Sequence, residues 1–350
     1  MESIKDDMQK RIWIVNYYTS SPDRVSNPRY IEFSDFFRRA GYDVTVFNST
    51  RNEKLSTRAK FTEKWYGQHH FIHVKAPDYS GNGLERMWSI FVFAWRLFVN
   101  RKRFPRPDTI LHNIHAPFDY PVLWMSKLLK TRYVAEVWDL WPEDFVTFGL
   151  LSANNPFMKI AYQVERHMYE KADEIVFTFE GGLDYLKSKH WTTDSGGRIS
   201  PDKVHYINNG VNLEKFDRDR KMYFSEDADL NDPDTVKIIY LGSIRRVNHV
   251  KDLIDAAAIL KNNPKYRFLI YGNGSDRDKL EKYVAENSIT NVSFKEKHIP
   301  LCEVAYVISQ ATINVMNYQK NFGLHGVSSG KMFQYMAAGK PILCNIKLNY

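Results

Sequence analysis

Short apolar runs alternate with longer helical stretches along the chain. The first run covers residues 12–15 and the second residues 44–47, with a helix expected between them from about residue 28 to residue 40. That helix should end at Gly41, because glycine readily adopts the conformation that follows a helix C-terminus. The pattern predicts a β-α-β unit at the start of the chain.

The same alternation continues and restarts after a polar stretch. Further strands are expected at residues 109–112, 133–137, 174–177, 204–207, 236–241, 267–271, 292–294, 312–316 and 341–344, with helices that include residues 252–260 and a helix reaching residue 338. Strands that alternate with helices favour parallel sheets covered on both faces. The predicted fold class is therefore α/β, with two Rossmann-like, doubly wound domains.

The polar stretch divides the chain. We expect an N-terminal domain over residues 1–212, a linker rich in charged residues over 213–235, and a C-terminal domain over 236–350. Ligands of open α/β sheets collect beyond the carboxyl ends of the strands, so two such sheets are expected to face a central cleft.

Composition narrows the class of protein. The charged fraction of 26% is that of an ordinary globular protein, so disorder is not expected. The two cysteines, Cys302 and Cys344, cannot form a disulfide framework, and residues 1–10 lack the apolar stretch of a signal peptide. A cytoplasmic location is therefore expected.

The net charge of +8 suits phosphorylated substrates or an anionic membrane, whereas no pattern of a nucleic-acid module is present. Residues 87–99 are apolar and aromatic, are interrupted by Arg96, and lead into a basic run at 101–106. The segment is shorter than the roughly 20 residues that span a bilayer. It is either a core helix with a solvated basic end or an interfacial helix on the inner face of the membrane.

Residues 326–341 carry the most informative motif. Ser328 and Ser329 suit a helix N-cap, Gly330 allows a ligand close to the backbone, and Lys331 falls in the first helical turn. That turn already attracts anions, so a cation there is disfavoured unless a negative group faces it. A diphosphate would satisfy this requirement, and the alternative is a capped helix with a solvated lysine.

Two loops follow predicted strands of the same domain. In the first, Gly242 and Ser243 precede Arg245 and Arg246, whose guanidinium groups match phosphate oxygens. The second, at residues 272–275, contains Gly272 and Gly274 but lacks the third glycine of the dinucleotide fingerprint, which weighs against a dehydrogenase. The first loop is otherwise a solvated connection.

The N-terminal domain places carboxylates and tryptophans after the strand at 133–137. Trp138, Asp139, Trp141 and Glu143 are residues that bind sugar hydroxyls or stack on sugar rings, although the stretch is also a plausible capped helix start. His115, with His112, ends the preceding strand. No cysteines or carboxylate cluster accompany them in the sequence, so no metal site is expected.

Together these stretches resemble a retaining GT-B glycosyltransferase of family 4, in the branch that builds bacterial surface polysaccharides. The resemblance covers nearly the whole chain. It is carried by residues 139–143, Glu165 with Tyr169 and 172–173, 209–212 with Phe216, the Gly242 loop, 272–274 and 326–341.

The resemblance implies a hexosyltransferase without a cofactor or metal. A nucleotide-diphosphate sugar would bind the C-terminal domain, and a glycan or polyprenyl-linked acceptor the N-terminal domain. The catalytic residues implied are Asp139, Arg245, Arg246 and Lys331. Donor-binding residues would be Gly242, Ser243, Gly272, Gly274, Ser328, Ser329, Gly330 and Gln334, and acceptor or sugar contacts would be Trp138, Trp141, Glu143 and His115.

The chain departs from the family at several positions. The two family glutamates around the donor helix correspond to Gly326 and Gln334, and an amide can still hydrogen-bond a ribose without carrying charge. Ser243 stands where the family has an arginine, so Arg245 or Arg246 would take its place. Family members also usually continue beyond the strand at 341–344, so the second domain is expected to be incomplete.

Two other functions fit the same architecture. A sugar-nucleotide epimerase would convert the donor without an acceptor. A truncated member would bind nucleotide sugar without turnover, which the neutral Gln334 favours.

Overall fold

The chain forms two compact units, Met1–Asn208 and Asn209–Tyr350. The computed structural model describes residues 9–24, 28–51, 53, 55, 58–81, 83–147, 149–319 and 328–346. Residues 1–208 are called the N-terminal unit and residues 209–350 the C-terminal unit. Each contains one sheet with helices packed against it.

The N-terminal unit holds an eight-stranded sheet in the order β3-β4-β2-β1-β5-β6-β7-β8. Neighbouring strands are parallel, except that β3 runs antiparallel to β4. The strands are β1 (Arg11–Val15), β2 (Asp43–Ser49), β3 (Phe61–Tyr66), β4 (His69–Val74), β5 (Thr109–Asn113), β6 (Arg132–Val137), β7 (Glu174–Phe177) and β8 (Val204–Tyr206).

Helices cover both faces of this sheet. They are α1 (Arg29–Arg39), α2 (Leu84–Val99), α3 (Tyr120–Leu129), α4 (Glu143–Thr147), α5 (Pro156–Lys171) and α6 (Gly182–Ser188). Side chains alternate across a strand, and accordingly Trp13 and Val15 of β1 enter one apolar cluster while Ile12 and Ile14 enter another. Burial on both faces explains why β1 is a continuous apolar run.

The C-terminal unit holds a five-stranded, fully parallel sheet in the order β11-β10-β9-β12-β13. Its strands are β9 (Val236–Leu241), β10 (Tyr266–Tyr271), β11 (Val292–Phe294), β12 (Ile313–Met316) and β13 (Ile342–Cys344). Its helices are α7 (Leu213–Met222), α8 (Ala228–Asn231), α9 (Val250–Ile259), α10 (Arg277–Glu286), α11 (Leu301–Ser309) and α12 (Gly330–Ala337). The predicted α/β class with two parallel sheets is confirmed.

The segment expected as a linker, residues 213–235, differs from that expectation. It forms α7 and α8 and belongs to the C-terminal unit. Phe216 and Leu230 are buried in apolar clusters of that unit. Many of the polar residues that suggested a linker lie on two short helices, of which α7 packs mainly on α11 and α8 packs on β10.

Candidate functional site

Helix α12 begins beside the carboxyl end of β9. Ser329 is its N-cap residue, but the buried Ser329 hydroxyl does not bond the first helical turn and instead accepts a hydrogen bond from Tyr318 at 2.9 Å. Ser328 accepts a hydrogen bond from the side chain of Asn209 at 2.7 Å. Gly330 opens the helix. The two predicted cap residues therefore bond Asn209 and Tyr318, and Gly326 of the same motif lies outside the described residues.

Lys331 lies in the first turn of α12 and points toward aromatic side chains. Its Nζ is 4.6 Å from the ring centroid of Tyr240 and 5.4 Å from that of Tyr318, and it donates to the Tyr240 hydroxyl at 3.4 Å. Burial lowers the pKa of Lys331 to about 8. Among the described residues no carboxylate forms an ion pair with it. The cation thus lies at the positive end of a helix, where an anionic ligand would be stabilised.

The two predicted glycine loops pack directly on each other. An added Cβ at Gly272 would lie 1.9 Å from the carbonyl oxygen of Gly242, and one at Gly274 would lie 2.2 Å from that of Ile244. Ile244 N–H also donates to the carbonyl of Asn273 at 2.9 Å. Glycine is therefore required at residues 272 and 274 so that the loops after β9 and β10 can meet.

The loop after β9 is anchored by a buried apolar side chain and a hydrogen bond, and it exposes its polar side chains. Ile244 is buried, and the Tyr240 hydroxyl donates to the Ser243 carbonyl at 2.6 Å. Ser243, Arg245 and Arg246 are exposed, the last two at the start of a single 3₁₀ turn. Gly242, Lys331 and both loops thus lie together. The side chain of Gln334, on α12, is partly buried and makes no polar contact with another residue that the structure describes.

Three tyrosines that the sequence analysis did not single out organise this site. Besides Tyr240 and Tyr318, the buried Tyr335 accepts a hydrogen bond from Leu241 N–H at 3.1 Å and donates to the Leu241 carbonyl at 3.3 Å. Tyr335 therefore joins α12 to the end of β9. The sequence signal that could have identified these tyrosines is their occurrence in otherwise apolar stretches close to the glycine loops or the donor helix.

In the N-terminal unit, Asp119 contacts two histidines, His112 within β5 and His115 just after it. Its Oδ2 lies 3.2 Å from His112 Nε2 and 3.4 Å from His115 Nδ1, and it accepts the backbone N–H of His115. Burial alone would raise the pKa of Asp119, but the charge and hydrogen bonds of the histidines outweigh burial and lower that pKa well below its usual range. The sequence analysis missed this carboxylate. Within the described residues, no group of three such side chains has the geometry to hold a metal ion.

Glu136, at the end of β6, is a second carboxylate that sequence reasoning missed. It is fully buried and accepts hydrogen bonds from Arg29 at 2.9 Å, from the Tyr30 hydroxyl, and from Trp138 Nε1 at 2.9 Å. Trp138 stacks on Tyr30 with ring centroids 5.3 Å apart. One face of the Trp138 ring is therefore covered by protein.

Asp139 follows β6 and reaches solvent. The protein atoms crowded around its carboxyl still raise the pKa of Asp139 by desolvation, against the opposing charges of His115 and Arg86. Burial also raises the pKa of the nearby Asp144 to about 8, with Asp139 and Glu143 adding to the effect. None of the recorded hydrogen bonds joins the Asp139 carboxylate to α4, so within the described residues it does not cap that helix.

The other predicted sugar-contact residues have protein partners. Trp141 is buried and packs edge-on against His115 and Phe145, with ring centroids 5.5 and 5.2 Å apart. Glu143 accepts hydrogen bonds from Tyr162 at 2.7 Å and Lys189 at 2.5 Å. Their contact with a sugar stays a prediction.

Known proteins resemble both units. Residues 29–215 match the family model Glycosyltransferase Family 4, and residues 224–346 match Glycosyl transferases group 1. A relative described as the probable glycosyltransferase WbjE of Pseudomonas aeruginosa is 25% identical over 270 residues. That match covers 75% of this chain and 62% of the relative, so the chain spans less than two thirds of the length of the curated relative it matches.

Solved structures match nearly the whole chain. Sucrose-phosphate synthase of Thermosynechococcus elongatus is 18% identical, with 96% of this chain and 81% of that chain covered and a TM-score of 0.67. HepE of Anabaena, in complex with UDP and glucose, is 13% identical over 96% and 80% of the chains, with a TM-score of 0.62. WaaG, a glycosyltransferase involved in lipopolysaccharide biosynthesis, is 13% identical over 95% and 80%, with a TM-score of 0.65. These likenesses confirm the GT-B fold class. Since the first family model spans more than half of the chain, the chain belongs to glycosyltransferase family 4.

Proposed function

We propose that this chain is a glycosyltransferase that moves a sugar from a nucleotide-diphosphate donor to a glycan acceptor, with retention of anomeric configuration. The observation that carries the proposal is the position of Lys331. Its ammonium group lies in the first turn of α12, against Gly242, and pairs with no described carboxylate. A buried cation at a helix N-terminus is stabilised by an anion, and the diphosphate of a sugar nucleotide supplies one.

The reaction breaks the bond between the anomeric carbon and a diphosphate oxygen. Negative charge grows on that leaving oxygen, and Lys331 with Arg245 or Arg246 would stabilise it. Charge stabilisation by groups already in place is commonly the largest catalytic contribution. The acceptor hydroxyl gains the sugar and loses a proton, for which Asp139 is the proposed acceptor because its raised pKa makes it a better base than an ordinary carboxylate.

The donor is assigned to the C-terminal unit. Gly242, Gly272 and Gly274 bring two loops together through backbone contacts. Beside them, Ser328, Ser329 and Gly330 lead into the first turn of α12, and Gln334 would hydrogen-bond the ribose. UDP in the complex of HepE supports a nucleotide at a site of this fold.

The acceptor is assigned to the N-terminal unit, near Asp139 and His115. Trp138, Trp141 and Glu143 would shape its surroundings. The proposed acceptor is a surface polysaccharide carried on a polyprenyl lipid. The involvement of WaaG, which shares this fold, in lipopolysaccharide biosynthesis supports the polysaccharide part of this proposal.

A panel of nucleotide sugars and free nucleotides tests the donor assignment by thermal shift. A ligand that binds only the folded state raises the unfolding midpoint by mass action, so one sugar nucleotide should stabilise the protein more than the others. The stabilising donor is then incubated with and without lipid-linked glycan acceptors. The configuration of the new linkage is read by NMR.

Acceptor-dependent transfer with retained configuration supports the proposal. Conversion of the donor in the absence of acceptor would identify an epimerase instead. Donor binding without turnover on any acceptor would identify a non-catalytic binding protein, and absence of stabilisation by every sugar nucleotide would contradict the donor site itself.

A further inference from the structure

The outer face of α2 is apolar. Leu84, Trp88, Trp95 and Val99 are exposed to 81, 58, 42 and 48%, at spacings that place them on one side of the helix. The opposite side is buried against the sheet through Ile90, Phe93 and Leu97, among others. Core packing therefore accounts for one side of α2 and leaves the aromatic side unexplained.

Arg96, which interrupts this segment in the sequence, does not interrupt the exposed face. Its guanidinium turns back and donates to the carbonyl of Lys75. Burial lowers the pKa of Arg96, consistent with a side chain held against the protein. The outward side of α2 is consequently more uniformly apolar than the sequence alone suggests.

The aromatic face continues onto α3. Ring centroids are 5.5 Å apart for Trp88 and Phe91, and 5.3 Å for Trp95 and Phe98. Phe98 then meets Trp124 of α3 at 6.0 Å. Trp124 and its neighbour one turn on, Leu128, are exposed to 47 and 58%. We call this continuous surface, formed by Leu84, Trp88, Phe91, Trp95, Phe98, Val99, Trp124 and Leu128, the α2–α3 face.

A group of cations adjoins one end of the face. The guanidinium of Arg101 lies 5.1 Å from the ring centroid of Phe98. Arg106 donates to the carbonyls of Leu129 and Lys130 at 2.7 and 2.8 Å, which brings the basic run after α2 beside the end of α3. Lys102, Arg103, Arg106 and Lys130 are exposed, and no described carboxylate forms an ion pair with them.

We propose that the α2–α3 face docks onto a lipid bilayer that carries anionic headgroups. Tryptophan favours the boundary between hydrocarbon and water, because its ring is apolar and its N–H is polar. A helix that lies in this boundary buries its apolar side and presents basic residues to anionic lipid. Three exposed tryptophans, beside cations that form no ion pair with a described carboxylate, provide both components. Within the described residues no helix is long and apolar enough to cross a membrane.

The face is large for a solvated surface. A helix of 16 residues is about 24 Å long at the standard rise, and the apolar side of α2 runs from Leu84 to Val99. Contiguous exposed apolar patches of such extent are uncommon on monomeric proteins and mark interaction sites. The adjacent cations favour a negatively charged partner, and the arrangement does not depend on whether the donor site is active.

Co-sedimentation with vesicles tests the proposal on the full chain. Vesicles of phosphatidylcholine alone are compared with vesicles in which phosphatidylglycerol replaces part of it, at low and high salt. Three samples accompany the wild type. One carries Trp88→Ser, Trp95→Ser and Trp124→Ser, one carries Lys102→Glu with Arg103→Glu, and a matched charge control on α10 carries Lys279→Glu with Lys282→Glu.

Wild type and the α10 control should bind anionic vesicles at low salt and bind neutral vesicles far less. Each basic residue near an anionic surface contributes about fivefold to partitioning, so reversal at 102 and 103 should weaken binding by about 25-fold or more. The tryptophan variant should also lose most binding, while its circular dichroism and unfolding midpoint stay near those of the wild type. Quenching of tryptophan fluorescence by brominated lipid should accompany wild-type binding.

Other outcomes would overturn the proposal. Absence of wild-type binding to anionic vesicles at low salt would exclude a bilayer partner, as would a tryptophan variant that binds as well as wild type. A wild-type dimer that the tryptophan substitutions dissociate, without vesicle binding, would show that a second copy of the chain covers this face.

Discussion

The ammonium group of Lys331 occupies the space beside Gly242 that a side chain would fill: an added Cβ at residue 242 would lie 2.7 Å from Lys331 Nζ. The first turn of α12 and the loop after β9 therefore form one site, and the size of residue 242 controls where the cation can lie. Gly272, by contrast, faces backbone, since its Cβ would lie 1.9 Å from the carbonyl oxygen of Gly242.

Alanine at these two glycines should give different results. Gly242→Ala has φ of +156°, so backbone strain should lower the free energy of unfolding by about 1–3 kcal/mol. Its new methyl group meets only the end of a flexible side chain, so Lys331 moves and donor affinity and transfer fall. Gly272→Ala places a side chain at a residue whose φ is +122° and against a backbone carbonyl that cannot move freely. It should lower the free energy of unfolding by about 2–5 kcal/mol. Urea unfolding and nucleotide binding of both variants check this. Equal stability losses would contradict the geometric argument.

Loss of the cations should reduce transfer without unfolding the protein. Lys331→Ala and the double change Arg245→Ala with Arg246→Ala should each lower kcat/KM by about 10²–10³, the usual effect of removing a charge-stabilising contact. Both arginines are exposed, so their removal should leave the unfolding midpoint nearly unchanged. Lys282→Ala on α10 is a suitable control. Near-normal transfer in both variants would show that the site is assigned wrongly.

The affinity for a nucleoside diphosphate should depend on pH through Lys331. Its pKa is lowered to about 8, so the ammonium form is complete only below that pH. A bound diphosphate favours the ammonium form of Lys331. Above pH 8, diphosphate binding must therefore be accompanied by uptake of a proton at Lys331, and the affinity should fall by up to about tenfold per pH unit. Below about pH 8, the contribution of Lys331 to diphosphate affinity should be constant.

Calorimetric titration with UDP, GDP and ADP on both sides of pH 8 measures this dependence. Lys331→Arg should bind with a flatter profile, because a guanidinium stays protonated over this range. In the unliganded protein the same lowered pKa has the opposite consequence. The unfolded state binds more protons between about pH 8 and the ordinary lysine pKa, so the contribution of Lys331 to stability rises with pH in that window. A pH-independent wild-type affinity would contradict the assignment.

Strands buried on both faces such as β7 and β9 were predictable from sequence because they contain at least three consecutive apolar or aromatic residues, with charged residues only at or near the start of the strand. Glu174–Phe177 and Val236–Leu241 agree with the predicted bounds residue for residue. The antiparallel pair β3 and β4 was missed, since Phe61–Tyr66 exposes three consecutive residues, two of them charged, at the sheet edge and His69–Val74 contains three histidines. Local composition therefore predicted the central sheet better than its edge.

The donor loops were predictable because their glycines and cations are close in sequence. The carboxylates Glu136 and Asp119 of the N-terminal unit were not predictable, because their partners are distant in sequence or the carboxylate lies in an ordinary loop. Arg29 and Glu136 are 107 residues apart and form a buried pair, and Asp119 holds two histidines from a turn without any recognisable motif. The pairing of Arg29 with Glu136 depends on the sheet order, in which β5 alone separates β1 from β6.

Asp139→Asn tests whether the carboxylate after β6 takes part in the reaction. A base must be unprotonated to accept a proton, so wild-type transfer should rise with pH through the raised pKa of Asp139. The amide removes that dependence and should lower kcat by about 10²–10⁴, the range of general-base contributions. Stability should change little, since no described hydrogen bond joins this side chain to α4.

A second consequence separates a chemical role of Asp139 from a structural one. The charge of Asp139 helps raise the pKa of Asp144 to about 8, so Asp139→Asn should lower the Asp144 pKa, measured by NMR titration of its carboxyl carbon. Donor affinity should be retained, because the donor is assigned to the C-terminal unit. Asp184→Asn, at an exposed position in the first turn of α6, controls for a general loss of negative charge. If Asp139→Asn shifts the Asp144 titration yet transfers sugar at the wild-type rate, the carboxylate sets local electrostatics and does not act as the base.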